Sequence, residues 1–445
     1  MSHELYLSLP PFGQNLALSA YGMTLYKQRF GGSLPSTYDR TSPLFSKPTP
    51  ADIERQTLQL RQLLTHCKAF VPYYKPYLES VDISTITGAT LGEYLPKLTK
   101  QIILEHPSDF ISQAPEHNTK QLIKLNTSGS SGTPLTLFTT HEARKINYMF
   151  YQHALNEFGC HYRSKSTTFA GRILYKTLGK SPARYDYFNK TQYLSSYFIS
   201  LETIDSYIFA LNKWQPEFID AYPSALLEIC TLARQKNLSL TFSPKVVLTS
   251  SETLTSEVRA IIESFFAAPV LDHYGCTEMA ISAFSSGGKY FAPADYSVIE
   301  LEPAFDNLYS VITTGLLNFG MPLLRYEIGD LVSKSFADSN YIFDSIEGRA
   351  DDVIVTPEGK RIGRMDPAFK GIKGIEMAQI IQENINEIAV LIVLSKEQSQ
   401  DFDNILLIKN IKTRTSESIQ VTIKYVDTIA KEKNGKFKSV ISKIK

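Results

Sequence analysis

The stretch Asn126-Thr127-Ser128-Gly129-Ser130-Ser131-Gly132-Thr133-Pro134 joins small hydroxyl side chains to two glycines. A loop of this composition bends so that several backbone N–H groups converge into a concave nest for an anion. Glycine permits positive φ and close approach of the backbone to a ligand, and Ser128, Ser130, Ser131 and Thr133 add hydroxyl donors. A nucleotide phosphate is the anion that suits such a loop. A phosphate loop of the Walker type ends in Gly-Lys-Ser/Thr, whereas here Gly132 is followed by Thr133 and Pro134. A lysine that balances phosphate charge must therefore come from elsewhere in the chain. Ser/Gly surface turns share this composition, so the neighbouring motifs decide the reading.

Five further motifs follow in order. Ser250-Ser251-Glu252 ends a strand expected over residues 245–249, and ligands gather at such C-terminal strand edges in open α/β sheets. The competing role is a helix N-cap at Ser251 or Thr253. Asp272-His273-Tyr274-Gly275-Cys276-Thr277-Glu278 also follows a strand. Tyr274 offers a flat face for a nucleobase, Gly275 a sharp turn, and Glu278 a hard oxygen ligand suited to Mg²⁺ beside phosphates. His273 reads as a structural histidine, and Cys276 has no His/Asn pattern to make it a nucleophile. Arg325-Tyr326-Glu327-Ile328-Gly329-Asp330 pairs a cation with a carboxylate across a turn. Asp330 is suited to the two ribose hydroxyls, and the plainer reading is a surface ion pair. Gly348-Arg349-Ala350-Asp351-Asp352 falls where composition changes and reads as an interdomain joint. Lys433-Asn434-Gly435-Lys436-Phe437-Lys438 lies in a lysine-rich tail, by itself a solvated basic end.

The elements that must position these motifs follow from periodicity. Residues 50–66 carry apolar positions at helical spacing behind Pro50, and 141–158 read as a helix leaving the Ser/Gly loop. Residues 70–77 read as an aromatic, proline-punctuated loop. Strands over 218–222, 245–249 and 270–274 alternate with helices over 224–236 and 256–266, the pattern of a parallel sheet covered by helices. Residues 290–335 read as β-rich, with strands over 309–313 and 331–335. Beyond Gly348 a small α+β unit is expected, with a helix over 377–385 and strands over 389–394, 405–409 and 420–426. The expected fold is thus α/β. A large N-terminal domain, 1–347, has several subdomains: mostly parallel sheets with helices, plus a β-rich part. A small mobile C-terminal α+β domain spans 348–445.

Composition narrows the function classes. With 445 residues and 43% hydrophobic content the chain can bury a sizeable interior in two or three domains. Its 46 Lys and Arg nearly cancel 45 Asp and Glu, which argues against a nucleic-acid footprint. No signal peptide and no membrane-spanning apolar run is evident. The four cysteines form no Cys-x-x-Cys pair, which argues against a disulfide framework or a structural zinc site, and the eight histidines form no His-x-x-x-His helix pattern. A cytoplasmic enzyme, monomeric or homodimeric, is the expectation.

Taken in order, Thr127–Pro134, Ser250-Ser251-Glu252, Tyr274-Gly275-Cys276-Thr277-Glu278, Arg325–Asp330, Gly348–Asp352 and Gly435-Lys436 resemble the adenylate-forming superfamily: acyl-CoA ligases, peptide-synthetase adenylation domains and luciferases. Leu95-Pro96-Lys97-Leu98-Thr99-Lys100, Ala221-Tyr222-Pro223-Ser224 and the ending 435–442 are similar to its phenylacetate–CoA ligase branch, especially CapK-like members. The resemblance is weakest over the first 45 residues. It implies ATP and Mg²⁺ as co-reactants and a small carboxylic acid as substrate, activated to an acyl-adenylate with release of pyrophosphate. Catalysis would fall to Lys436 and the metal-holding Glu278. Nucleotide contacts would come from Thr127, Ser128, Gly129, Ser130, Ser131, Gly132, Thr133, Ser251, Glu252, Asp272, Tyr274, Gly275, Thr277, Asp330 and Arg349. The acid would lie against Tyr222, Pro223 and Ser224, and Asp351 would be the hinge of the small domain. Three functions fit: transfer to coenzyme A, transfer of an acid or amino acid to a sugar or amine in surface-polysaccharide assembly, or nucleotide binding without catalysis. Glu278 and Lys436 together weigh against the last. Arg172, Lys176 and Arg184 read as a solvated basic loop rather than a reader of acidic substrates.

Overall fold

The computed structural model describes the chain apart from residues 1–2, 32–43, 118–120, 128–134, 171–173, 177–178, 180, 306, 335–338, 350–352, 360, 363–364, 370–371, 396–399, 401, 431–436 and 445. Its centre is a nine-stranded sheet, in spatial order Ile342–Phe343, Lys289–Phe291, Ser282–Ser286, Val270–Gly275, Val246–Ser250, Phe218–Ala221, Ser166–Ala170, Thr191–Ser195 and Ala183–Asp186. The five central strands from Val270–Gly275 to Thr191–Ser195 are parallel, and the flanking pairs are antiparallel. The expected alternation is realised as helices Pro223–Gln235 and Ser256–Phe266 between strands. One face of the sheet buries Ile219, Ala221 and Val247 against Leu226, Ile229, Ile262 and Phe266. The other buries Phe218, Leu248 and Leu271 against Ile146, Phe150 and Ala154 of helix His141–Asn156. Side chains alternate across a strand, so both faces are apolar, as a sheet covered on both sides requires.

The sheet's outer strand, Ala183–Asp186, is sealed by helix Pro11–Phe30. Asn15 accepts the Tyr185 N–H at 3.0 Å and Ser19 the Tyr187 N–H at 2.9 Å. The helix therefore buries Gln14, Asn15 and Gly22 and exposes Phe12 and Leu16. Arg184, expected in a solvated loop, is buried here: it hydrogen-bonds Gln14 and lies 5.0 Å from the Tyr175 ring. Polar side chains close an otherwise open strand edge, one of the devices that keep edges from pairing elsewhere.

The β-rich part is a four-stranded antiparallel sheet of Ser297–Pro303, Leu308–Gly315, Tyr326–Ser333 and Ser345–Arg349. Its apolar face shares a core with Leu60, Leu63, Leu64, Tyr74 and Phe110. Helix Pro50–Phe70 starts with a capping box between Thr49 and Asp52, and a one-turn helix, Lys75–Leu78, stands within the segment expected to be loop. Residues 326–333 form a strand rather than a turn. Arg325 pairs not with Asp330 but with Glu300, its Nε 3.0 Å and Nη2 2.8 Å from Oε2, while Nη1 donates to the Leu95 carbonyl at 2.6 Å. Leu98 donates its N–H to the Arg325 carbonyl and accepts the Glu327 N–H, each at 2.9 Å, across this junction. The Pro96-Lys97-Leu98 segment is thus stitched to the sheet by one buried guanidinium.

The C-terminal sheet runs Gln420–Tyr425, Glu387–Leu394, Ile375–Asn384, Val440–Ser442, with a core of its own around Ile380, Val390, Leu407 and Ile411. Two expectations are corrected. Residues 375–384 form a strand, not a helix: despite helix formers such as Met377 and Ala378, the segment is paired on both sides, and pairing overrides local propensity. Residues 404–414 form a helix, not a strand: Asp403 caps it by accepting the Leu406 N–H at 2.9 Å, and Leu407 and Ile411, four apart, are its buried pair. Among the described residues no helix is long and apolar enough to cross a membrane.

Because Arg325 is buried with Glu300 as its carboxylate partner, Glu300→Ala leaves a buried charge unpaired. We expect a loss of about 3 kcal/mol in urea unfolding, larger than for Lys97→Ala, whose partner Glu302 is exposed.

Candidate functional site

Strands Phe218–Ala221, Val246–Ser250 and Val270–Gly275 are parallel neighbours, so their C-terminal ends, Ala221, Ser250 and Gly275, open along one edge. The motif residues follow directly from these ends.

Ser251 turns the chain with φ 72°, a left-handed conformation that costs a non-glycine residue about 1–3 kcal/mol and gathers at functional sites. Neither Ser251 nor Thr253 caps the next helix; Thr255 does, accepting the Val258 N–H at 3.3 Å. The turn instead delivers Glu252 to the start of helix Pro223–Gln235. That helix has Pro at its first position and no capping side chain from Tyr222. Glu252 fills the gap: Ser224 donates its N–H at 2.9 Å and its hydroxyl at 3.0 Å. A carboxylate is favoured at a helix N-terminus, where unpaired N–H groups and the macrodipole converge. Oε1 of Glu252 accepts a further bond, from the backbone N–H of Phe437 at 2.8 Å. The residue next to Lys436 therefore sits against the strand edge. Ser224, expected to face the acid, directs both its donors at Glu252, and Pro223 is buried in the helix start; Tyr222 packs at the margin of the apolar layer.

After Val270–Gly275 the site is built in two layers. Beneath lies Asp272, buried, with Oδ1 accepting from Thr249 and Oδ2 from Tyr290, each at 2.5 Å. Burial raises its pKa, partly opposed by these hydroxyls. Asp272 thus supports the strand end instead of facing a nucleotide, which corrects its expected contact. His273 is buried on the other side, between the Tyr151 hydroxyl at 2.7 Å and the Ser282 hydroxyl at 3.0 Å, consistent with the structural reading of its sequence. Above lie the exposed Gly275 and Thr277 and the half-buried Tyr274 and Glu278. A Cβ on Gly275 would stand 2.5 Å from His273 Cε1, so glycine is required for this turn.

Two hydrogen bonds cross from the four-stranded sheet. Tyr274 donates its hydroxyl to Asp330 Oδ2 at 2.8 Å, and Tyr326 donates to Glu278 Oε1 at 3.2 Å. Gly329, at φ 83°, lies where pairing with the Leu308–Gly315 strand is irregular; such a bulge re-aims a neighbouring side chain, here Asp330. Arg349 stands opposite Asp330 in strand register. Glu278 keeps Oε2 without a hydrogen-bond partner among the described residues, so its donor set fits a hard cation.

The Ser/Gly loop springs from a hairpin of Ile123–Asn126 and Thr136–Thr139. Its base is closed by Thr127 N–H to the Leu135 carbonyl at 3.0 Å and Leu135 N–H to Thr127 Oγ1 at 2.9 Å. Ser128, Gly129, Ser130, Ser131, Gly132, Thr133, Asp351 and Lys436 lie outside the described residues. Sequence reasoning missed Tyr326 as the partner of Glu278, Phe437 as the tail's contact, and Thr249 and Tyr290 beneath Asp272. Tyr326 was within a quoted motif; the other pairings join residues 18 to 185 positions apart and leave no local signal.

Comparison with known proteins bears on the fold. A CapK C-terminal domain model matches residues 354–443. Protein CapK of Staphylococcus aureus is 26% identical over 463 residues, covering all of both chains. Among solved structures, 2-hydroxyisobutyryl-CoA ligase in the postadenylation state with 2-HIB-AMP overlaps at TM-score 0.68 and 15% identity, over 94% of this chain and 96% of that one. The same ligase with 2-HIB-AMP and CoA in the thioesterification state overlaps at 0.56 and 16%, over 93% and 95%.

Buried His273 has its pKa lowered from 6.5 to about 3 by desolvation. A folded value below the unfolded one means its contribution is complete above pH 6.5 and is lost as pH falls toward 3. The shift is worth on the order of 5 kcal/mol. Urea midpoints measured from pH 7 to pH 4 should therefore fall steeply in the wild type and less steeply in His273→Asn, whatever the variant's absolute stability.

The chain thus shares the fold of 2-hydroxyisobutyryl-CoA ligase, and its residues 354–443 match the CapK C-terminal domain model.

Proposed function

We propose that this protein is an adenylate-forming ligase. The carboxylate oxygen of a small acid attacks the α-phosphorus of ATP, the bond to pyrophosphate breaks, and an acyl-adenylate forms. An acceptor nucleophile then attacks the acyl carbon and AMP leaves. A carboxylate is a poor acyl donor because its leaving group would be oxide; linkage to AMP replaces it with a good one. The observation that carries this reading is the bond from Phe437 N–H to Glu252. It brings the C-terminal tail to the edge where Tyr274, Glu278 and Asp330 meet.

The residues divide the work by charge. Two anions must approach, and offsetting their repulsion in the transition state is usually the largest catalytic contribution. Glu278 would hold Mg²⁺, which when bound neutralises phosphate charge. Tyr326 fixes the Glu278 carboxylate for that task. The Ser/Gly sequence that follows Thr127 would supply backbone N–H groups for phosphate. Asp330, oriented by Tyr274, would accept the ribose hydroxyls. Lys436, adjacent to the tethered Phe437, would bridge the acid and phosphate as a compact point charge. Asp351 would be the pivot about which the C-terminal unit withdraws Lys436 and admits the acceptor, as hinge residues absorb large φ/ψ changes. Closer overlap with the postadenylation state than with the thioesterification state of the 2-hydroxyisobutyryl-CoA ligase supports the tail-docked arrangement as the one for the first half-reaction.

Coenzyme A is the acceptor that the ligase fold favours. A sugar or amine acceptor is the second reading, favoured by the full-length similarity to CapK and by the CapK C-terminal domain. AMP release measured over a panel of acids, with and without coenzyme A, tests both. Acid-dependent AMP release that coenzyme A accelerates supports the first. Release unaffected by coenzyme A but raised by an amine or sugar supports the second. No release with any acid, together with no calorimetric affinity for ATP, sinks the proposal. Lys436→Ala should lower acid-dependent pyrophosphate exchange about 10²–10³-fold; an unchanged exchange rate removes the role assigned to Lys436.

A further inference from the structure

A second group of chemically able side chains lies away from the strand edge. His66, near the end of helix Pro50–Phe70, meets Glu116 and His117 of the turn Pro115–His117, and one potential ligand atom from each lies within 4.8 Å of the others. Both imidazoles face one point: Ser112 Oγ stands 2.9 Å from His66 Nε2 and 3.2 Å from His117 Nδ1. We propose that His66, Glu116 and His117 form a binding site for a divalent transition-metal ion of the zinc class.

Ligand chemistry selects that class. Two imidazoles with one carboxylate are a zinc donor set with room for a fourth ligand, whereas Ca²⁺ and Mg²⁺ take oxygen ligands. Ligands at zinc bond lengths stand about 3.4 Å apart in a tetrahedron. The Glu116 side chain is exposed and free to close the remaining gap, while the rings are held. His66 packs against Phe70 and Phe319, ring centroids 5.3 and 5.2 Å away. The Phe319 backbone also hydrogen-bonds His66, the kind of outer contact that orients metal-bound imidazoles. The fourth position falls to water or the Ser112 hydroxyl.

Its place in the fold gives the ion a task. Ser112 N–H donates to the Gly320 carbonyl at 2.9 Å and Gln113 N–H to the Phe70 carbonyl at 2.8 Å. Asn318, two residues before Gly320, donates to the Phe138 carbonyl of the hairpin at 2.9 Å. A metal here would clamp a helix end and a turn beneath the hairpin that carries the Ser/Gly loop. It would act as a structural ion, separate from the Mg²⁺ assigned to Glu278.

The full-length protein, dialysed against chelator, is titrated with Zn²⁺ by calorimetry and with Co²⁺ by visible absorption. Neither readout depends on acid activation, so this proposal and the proposed function fail separately. We expect one equivalent per chain, Co²⁺ ligand-field bands of a four- or five-coordinate ion, and affinity lowered at least about tenfold in His66→Ala and His117→Ala. Should either variant fail to fold, Glu116→Gln, altered only at an exposed side chain, carries the test with the same expected weakening. Absence of Zn²⁺ and Co²⁺ binding in the wild type overturns the proposal. So does binding that the folded variants leave undiminished.

Discussion

One carboxylate ties the C-terminal tail to the edge of the central sheet. Glu252 accepts two donors from Ser224 at a helix start and one from the Phe437 backbone. Its position depends on the strand before it, on the left-handed turn at Ser251, and on a helix whose own sequence supplies no cap. Each of these would be a defect alone: an uncapped helix, a strained serine, a half-buried charge. Together they are mutually satisfied, since the helix N-terminus stabilises the anion and the anion supplies the cap. The oxygen that accepts the Ser224 hydroxyl also receives the tail.

The strand edge shows a division between groups that are spent and groups that remain available. Asp272 and His273 have their polar atoms paired inside the protein, and their pKa shifts, upward and downward, follow from desolvation of the charged form. Both are held by these hydrogen bonds beneath the turn. Glu278 differs: it is half-buried, and one of its oxygens accepts from Tyr326. A rigid underlayer beneath a partly unsatisfied upper layer is the arrangement a preorganised electrostatic site needs, because donors fixed in advance cost no reorganisation when charge develops. The bulge at Gly329 and the Arg325–Glu300 pair serve the same end from the neighbouring sheet, setting where Asp330 and Tyr326 stand.

The C-terminal unit has its own core and meets the site through the chain next to Lys436. Its two misread elements have a common cause. Ile375–Asn384 carries helix-forming residues yet lies between two partner strands; Asn404–Arg414 carries a β-like Ile-Leu-Leu-Ile run yet has a capping aspartate and a buried pair four residues apart. Short segments in a small domain have propensities too close to neutral to resist what their neighbours supply.

The order of motifs, the alternation of strand and helix between residues 218 and 275, and the small α+β unit were legible because each rests on local chemistry: hydrophobic period, glycine at turns, proline at helix starts. So was the placing of Tyr274 and Glu278 at the end of a strand in the parallel sheet; that Asp330, inside a strand of another sheet, hydrogen-bonds Tyr274 was not. Which of them face a ligand and which are buried was not legible. Asp272 and Glu278 are both carboxylates six residues apart, and only the tertiary structure shows that Thr249 and Tyr290 engage both oxygens of one while Tyr326 engages one oxygen of the other. Arg184 and Arg325 likewise owe their burial to a distant helix and a distant strand. Hydrogen bonds between residues far apart in the chain carry no periodicity, so the sequence specified which groups are present and the tertiary structure decided which of them remain free.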